Sequence, residues 1–293
     1  MRYRRFGRTG LNVSSVSLGG AYIGGRDVER MEQNAVEVVS SVWKAGCNYI
    51  DTAPLYGESE RLLGQALAAV KQPFSIATKV GFKPEGFDYK RDSVLTSLER
   101  SLRLLGVDRV TVAQIHEVNL AGWERIMESG GTLEGLRAAQ QMGLCDFIGI
   151  TARAIPLLAE LAETGEFDTV LCYHDYHPCK RLAAEKVVPA AAANDMGIVI
   201  ATPLAGGIYV DNEEQQKAVE EWFDEGDRPR VWDIIEEMKR EDSTLPQSAF
   251  RWILGDNRVS TVSSGPSNVA EWDEVVAAAD METLQLSVWA NEA

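Results

Sequence analysis

Asn48-Tyr49-Ile50-Asp51-Thr52-Ala53-Pro54-Leu55-Tyr56-Gly57-Glu58-Ser59-Glu60 reads as a strand, a loop and the start of a helix. Tyr49-Ile50 is a short apolar run that ends in the Asp51 carboxylate. Pro54 and Gly57 break the chain after it. Leu63, Leu67 and Val70 then share one helical face at i, i+4 and i+7, and Ser59 is placed to cap that helix. Asp51 thus stands at the C-terminal tip of a strand, with Tyr56 in the loop above it. In parallel α/β folds, ligands and chemistry collect at that tip. On this stretch alone, Asp51 capping a turn and Tyr56 packing in the loop is the competing reading.

Working outward, short β-like runs recur at Val16-Ser17-Leu18, Phe74-Ser75-Ile76-Ala77, Val110-Thr111-Val112-Ala113-Gln114-Ile115, Phe147-Ile148-Gly149-Ile150, Thr169-Val170-Leu171-Cys172, Ile198-Val199-Ile200 and Val259-Ser260-Thr261-Val262. With Tyr49-Ile50 they number eight, most of them roughly 25–35 residues apart, about the length of one βαβ step. Several are apolar almost throughout, as strands covered on both faces are. Helical segments lie between them: residues 91–105 put Val94, Leu95, Leu98, Leu102 and Leu105 on one side, and residues 246–254 begin with Pro246. The pattern predicts a single domain over residues 1–293, a (β/α)8 TIM barrel preceded by a β-hairpin turning at Gly10, with extended loops at its C-terminal mouth. A doubly wound open sheet is the alternative, weakened because Gly19-Gly20-Ala21-Tyr22 stands where a G-x-G-x-x-G turn would be expected. Residues 205–230, acidic and carrying Tyr209, Trp222 and Phe223, form either a solvated insertion or a lid.

The chain has 293 residues, 45% hydrophobic and 25% charged, with a formal net charge of −15. That charge argues against nucleic acid or an anionic membrane as the main partner, though not against a small anionic cofactor held by local donors. The four cysteines include no C-x-x-C pair, and three histidines give no support for a metal site. The basic N-terminus lacks an apolar signal core, and no apolar run approaches the ~18–20 residues of a membrane helix. A cytoplasmic protein is the expectation; the oligomeric state is not legible.

Lys79 follows Ile76-Ala77-Thr78, and His116 follows Val112-Ala113-Gln114-Ile115. In a barrel, Asp51, Lys79 and His116 would sit at three successive strand ends around one rim, with Tyr56 beside them. Each alone has an ordinary structural explanation; the set suits hydride transfer to or from a carbonyl carbon. An ammonium beside a phenol favours the phenolate, so Lys79 is expected to lower the Tyr56 pKa toward neutrality. Asp51 would hold Lys79, and His116 would orient the substrate oxygen. The hydride must come from a cofactor, since no side chain supplies one.

From Arg4-Arg5-Phe6-Gly7-Arg8-Thr9-Gly10-Leu11 to about Val275, the chain resembles an aldo-keto reductase. The resemblance matches the family's catalytic tetrad to Asp51 and Tyr56 in Asp-Thr-Ala-x-x-Tyr-Gly, Lys79 in Ala-Thr-Lys-Val-Gly and His116 in Gln-Ile-His. It implies an extended nicotinamide cofactor across the mouth, contacted by Gly20, Ala21, Tyr22, Thr151, Tyr173, Thr202, Pro203, Leu204, Gly207, Gly265, Ser267, Asn268 and Glu271. Thr151-Ala152, Tyr173 and Ala201 stand where the family usually has Ser-Asn, Gln and Tyr, so the usual nicotinamide clamp is altered. This pattern is similar to the L-galactose dehydrogenase and D-threo-aldose dehydrogenase branch, which oxidises sugars at the anomeric carbon. Members preferring NADP commonly carry a basic residue where Glu271 stands, so the resemblance implies NAD, with NADP possible; Glu271 as a solvated first-turn helix residue is the alternative. Trp123, His174, His177 and Trp222 are candidates for a sugar pocket. An aldehyde or ketone reductase, and a non-catalytic cofactor-binding regulatory subunit, are the rival functions.

Overall fold

The computed structural model describes residues 1–153 and 155–289. β1 (Tyr3–Arg5) and β2 (Asn12–Ser14) pair antiparallel through the turn at Gly10. The chain then alternates: β3 (Val16–Gly19), α1 (Met31–Lys44), β4 (Tyr49–Asp51), α2 (Ser59–Val70), β5 (Ser75–Val80), a flap of β6 (Phe82–Lys83) and β7 (Gly86–Phe87), α3 (Arg91–Leu105), β8 (Val110–Ile115), α4 (Val118–Met127), α5 (Thr132–Gln141), β9 (Cys145–Ala152), α6 (Ile155–Glu163) and β10 (Thr169–Tyr173). It continues with α7 (Leu182–Glu185), α8 (Val187–Ala193), β11 (Gly197–Ala201), α9 (Glu214–Trp222), α10 (Arg228–Met238), α11 (Leu245–Ile253), β12 (Thr261–Ser264) and α12 (Val269–Ala277). Eight parallel strands close into a barrel in the circular order β10-β11-β12-β3-β4-β5-β8-β9. The open-sheet alternative is thereby set aside, because β9 pairs with β10 as well as β8.

Helical period and burial agree. In α3, Val94, Leu98, Leu102 and Leu105 are buried against the barrel, alternating with exposed Asp92, Glu99 and Arg100. The helix expected from Pro246 begins one residue earlier, because Thr244 and Gln247 form a reciprocal capping box in front of it. The last strand begins at Thr261 rather than Val259: Val259 still donates to the Asp256 carbonyl of the preceding turn.

Ser59 does not cap α2. Its hydroxyl is buried, donates to the Gly20 carbonyl at 2.7 Å and lies 2.8 Å from the Thr52 hydroxyl. It ties the loop after β3 to the loop after β4, and Gly20 approaches it closely: a Cβ there would come 2.6 Å from the Ser59 oxygen, so the side chains of this contact would have to shift. Residues 205–230 are not simply irregular. They hold α9 and the start of α10 and pack on α10 and α11 through Ile208, Tyr209, Val219, Val231 and Ala249.

The two barrel ends are closed differently. Phe6 and Val13 from the hairpin plug the N-terminal end against Tyr49, Ala77, Val112, Leu171 and Val199, all inward-facing. The Phe6 and Tyr49 rings meet edge to face, 5.2 Å apart. No helix among the described residues is long and apolar enough to cross a membrane. All four cysteines are buried and free.

Candidate active site

Side chains alternate along a strand, so two residues beyond each member of the plugging layer the chain again faces inward, one layer nearer the mouth. That step turns Tyr49 into Asp51, Ala77 into Lys79, Val112 into Gln114 and Leu171 into Tyr173; one more step from Gln114 reaches His116. Lys79 and Gln114 are register partners on neighbouring strands.

These residues form one buried network. Lys79 Nζ donates to Asp51 Oδ2 at 2.6 Å and to the Thr52 carbonyl at 2.8 Å. Gln114 Nε2 donates to the other Asp51 oxygen at 2.8 Å. Lys79 lies 4.8 Å from the centre of the Tyr56 ring, and the Tyr56 and His116 rings meet edge to face at 5.9 Å. Asp51, Lys79 and His116 are almost wholly buried, while Tyr56 is partly open to the mouth. Gln114 is the member the sequence left without a role, although its place two residues before His116 was a signal.

Burial works against the Lys79 ammonium, but the Asp51 carboxylate and Tyr56 outweigh it and hold its pKa above the ordinary lysine value. The His116 imidazole is pushed down to about 3 by burial and by Lys79, so it is neutral. The expected lowering of Tyr56 is not found. Burial raises the phenol above its usual value; Lys79 pulls it down by less, and Asp51 and Glu117 push it further up.

Around this centre lie residues at other strand ends. Glu117, beside His116, has the positive φ of 54°, a conformation that costs a non-glycine residue about 1 kcal/mol. The Tyr89 hydroxyl steadies this turn by donating to the carbonyls of His116 (2.7 Å) and Glu117 (3.3 Å). The Tyr173 hydroxyl donates to Glu117 Oε1 at 2.6 Å. His174 stacks on Trp222 of α9 at 4.5 Å, and Arg153 lies over the same indole at 5.2 Å. His174 and Trp222 therefore clasp α9 to the strand end that carries Tyr173.

His177 lines a small cavity together with Arg153, His174 and Trp222. It is fully buried and shares a 2.7 Å hydrogen bond with Tyr209. Trp123 is 39% exposed on α4, and no hydrogen bond or ring contact joins it to the tetrad among the described residues. Glu117 and Arg153 were missed: both lie just past strand ends, where side-chain direction depends on the loop.

The other mouth residues fit a nicotinamide dinucleotide. Thr151 is buried at the end of β9, and the Tyr173 ring faces the centre one strand away. Thr202, with a φ of 55°, and Pro203 and Leu204 turn the chain after β11 toward Gly207. Beyond β12, a cavity of about 590 Å³ runs between Gly25, Arg26 and Arg30 on one side and Ser267, Asn268 and Glu271 on the other. Gly265 passes below Tyr22, leaving 3.3 Å where a Cβ would point; Ala21 and Tyr22 are exposed. The start of α12 presents backbone N–H groups of the kind that receive phosphate. Glu271 folds back onto that turn: its carboxylate accepts from the Ser267 N–H at 2.7 Å, the Ser267 hydroxyl at 2.8 Å and the Asn268 amide at 3.0 Å.

Comparison with known proteins agrees with this geometry. The sequence model of the Aldo/keto reductase family matches residues 15–291. The chain is 28% identical over 292 residues to L-galactose dehydrogenase of Arabidopsis thaliana, covering 96% of this chain and 89% of that one. It is 26% identical over 315 residues to D-threo-aldose 1-dehydrogenase of a Pseudomonas species, covering 96% and 94%. The holo form of an aldo-keto reductase from Bacillus halodurans superposes with a TM-score of 0.79 at 23% identity, covering 97% and 93%, a likeness of fold alone. The chain belongs to the aldo/keto reductase family and is an NAD(P)-dependent oxidoreductase.

Proposed function

We propose that the enzyme oxidises an aldose of the L-galactose or L-fucose kind at its anomeric carbon, giving a lactone. The reading rests on one observation: the Asp51–Lys79 ion pair, buried beneath Tyr56 and beside a neutral His116. When bound, the nicotinamide supplies the hydride acceptor. Tyr56 takes the proton of the anomeric hydroxyl. Lys79, kept charged by Asp51, stabilises the phenolate this requires, and Gln114 holds the second Asp51 oxygen so that the pair does not rotate. His116, neutral, has one N–H to give to the substrate oxygen without placing a second cation beside Lys79. The likeness to two aldose dehydrogenases supports the choice of substrate class. The raised Tyr56 phenol favours a second reading, reduction of an aldehyde or ketone, in which the protonated phenol is the donor. Incubating the enzyme with NAD and L-galactose and identifying the product decides between them. A lactone that opens to the aldonate supports oxidation; no turnover of any aldose, with NAD(P)H consumed by aldehydes, leaves reduction.

NAD is the proposed cofactor. A 2′-phosphate would meet the Glu271 carboxylate and compete with it for the Ser267 donors. Glu271→Arg is therefore expected to raise the NADP/NAD ratio of kcat/KM by tenfold or more. An unchanged ratio would mean that Glu271 only caps α12.

A further inference from the structure

We propose that Glu117 is a specificity-determining residue: its carboxylate receives a hydroxyl of a neutral, polyhydroxylated substrate and turns away carbonyl compounds that carry a carboxylate or phosphate. The proposal deepens the aldose reading and rests on the same mouth being the reactive centre. Glu117 Oε1 lies 4.0 Å from His116 Nε2. That is too long for a direct hydrogen bond, so the His116 N–H is left for the reacting oxygen and the Glu117 carboxylate stands within reach of a hydroxyl on the neighbouring carbon. Such a hydroxyl donates to Glu117, whereas a carboxylate or phosphate oxygen has no proton to donate and faces the charge instead.

Three further features support this. The Glu117 side chain is only 17% exposed, and among the described residues no lysine or arginine pairs with it, so its charge is not neutralised locally. Its second oxygen accepts no hydrogen bond from any described residue, while the first is held by the Tyr173 hydroxyl at 2.6 Å. The backbone sits in the left-handed region, held there by Tyr89. Such strain marks positions that surrounding structure holds on purpose, often at ligand sites.

The test measures kcat/KM of the full-length enzyme for glyceraldehyde, propanal and succinic semialdehyde with reduced cofactor, in the wild type and in Glu117→Gln. The wild type is expected to prefer glyceraldehyde. In the variant the glyceraldehyde-to-propanal ratio is expected to fall at least tenfold, chiefly through KM, and the relative rate with succinic semialdehyde to rise. Unchanged ratios in a variant that still binds reduced cofactor overturn the proposal, as does a wild type that prefers propanal or succinic semialdehyde. If Glu117→Gln does not fold, Tyr173→Phe, which releases the carboxylate without removing it, is expected to lower the same ratio; an unchanged ratio again overturns it. A wild type active on these aldehydes but silent with every aldose sinks the aldose reading alone and leaves the Glu117 comparison intact.

Discussion

Lys79 is buried among polar partners that are all accounted for: a carboxylate oxygen, a backbone carbonyl and the face of a phenol. Breaking such a buried pair costs about 3–5 kcal/mol, because the remaining charge has nowhere to go. The Lys79 ammonium, its pKa raised by this pairing, stays charged, and the proton that moves is on Tyr56. Burial sets that phenol above its ordinary value of about 10. Oxidation needs the phenolate, so kcat/KM for aldose oxidation should climb with pH and reach no plateau below about pH 10. Reduction uses the neutral phenol and should stay flat over the same interval. His116, at about 3, adds no limb near neutrality. A pH–rate profile that levels off near pH 7 would show that the bound cofactor and Lys79 overcome the burial. That Asp51, Tyr56, Lys79 and His116 come together was legible in sequence because they sit at strand ends or within a marked turn. The direction of the Tyr56 shift was not, since it depends on how much water the folded mouth excludes.

Among the elements, strands and helices followed from periodicity, and their ends followed where a cap was written locally, as in Thr244 and Gln247. Ser59 shows why such reading fails elsewhere. A serine before an apolar helical face is a good local cap, but Gly20 and Thr52 offer it buried partners that sequence does not display. The same holds for Glu117, whose importance arises from Tyr173 on a distant strand. Helix contacts were equally hidden. Gly64 on α2 lies so close to α3 that a Cβ would fall 2.2 Å from the Leu104 carbonyl oxygen. Backbone cannot move aside as a side chain can, so Gly64→Ala should destabilise by about 1–3 kcal/mol. Thermal melting would register this as a drop of several degrees, with kcat/KM of the folded fraction retained. An unchanged melting temperature would mean that α2 and α3 separate freely.

Across the whole molecule, the hairpin plug at one end and the polar layer at the other give the barrel its direction. Inward positions are apolar where Phe6 closes the barrel and ionisable or polar two residues later, so the reactive centre and the closed end share the same strands. The net charge of −15 lies over this frame and suits a neutral substrate better than an anionic polymer. Barrel closure was legible from eight spaced runs, whereas the clasp of α9 through Trp222, His174 and Arg153 was not, because it joins segments with no sequence relation. The most direct measurement is reduced-nicotinamide formation, followed by absorbance, with NAD and L-galactose in the wild type and in Tyr56→Phe. Turnover by the wild type, lowered about 10²–10⁴-fold in the variant while cofactor binding persists, is the expected result. Equal turnover by both proteins would contradict proton exchange at Tyr56, and with it the mechanism built on the Asp51–Lys79 pair.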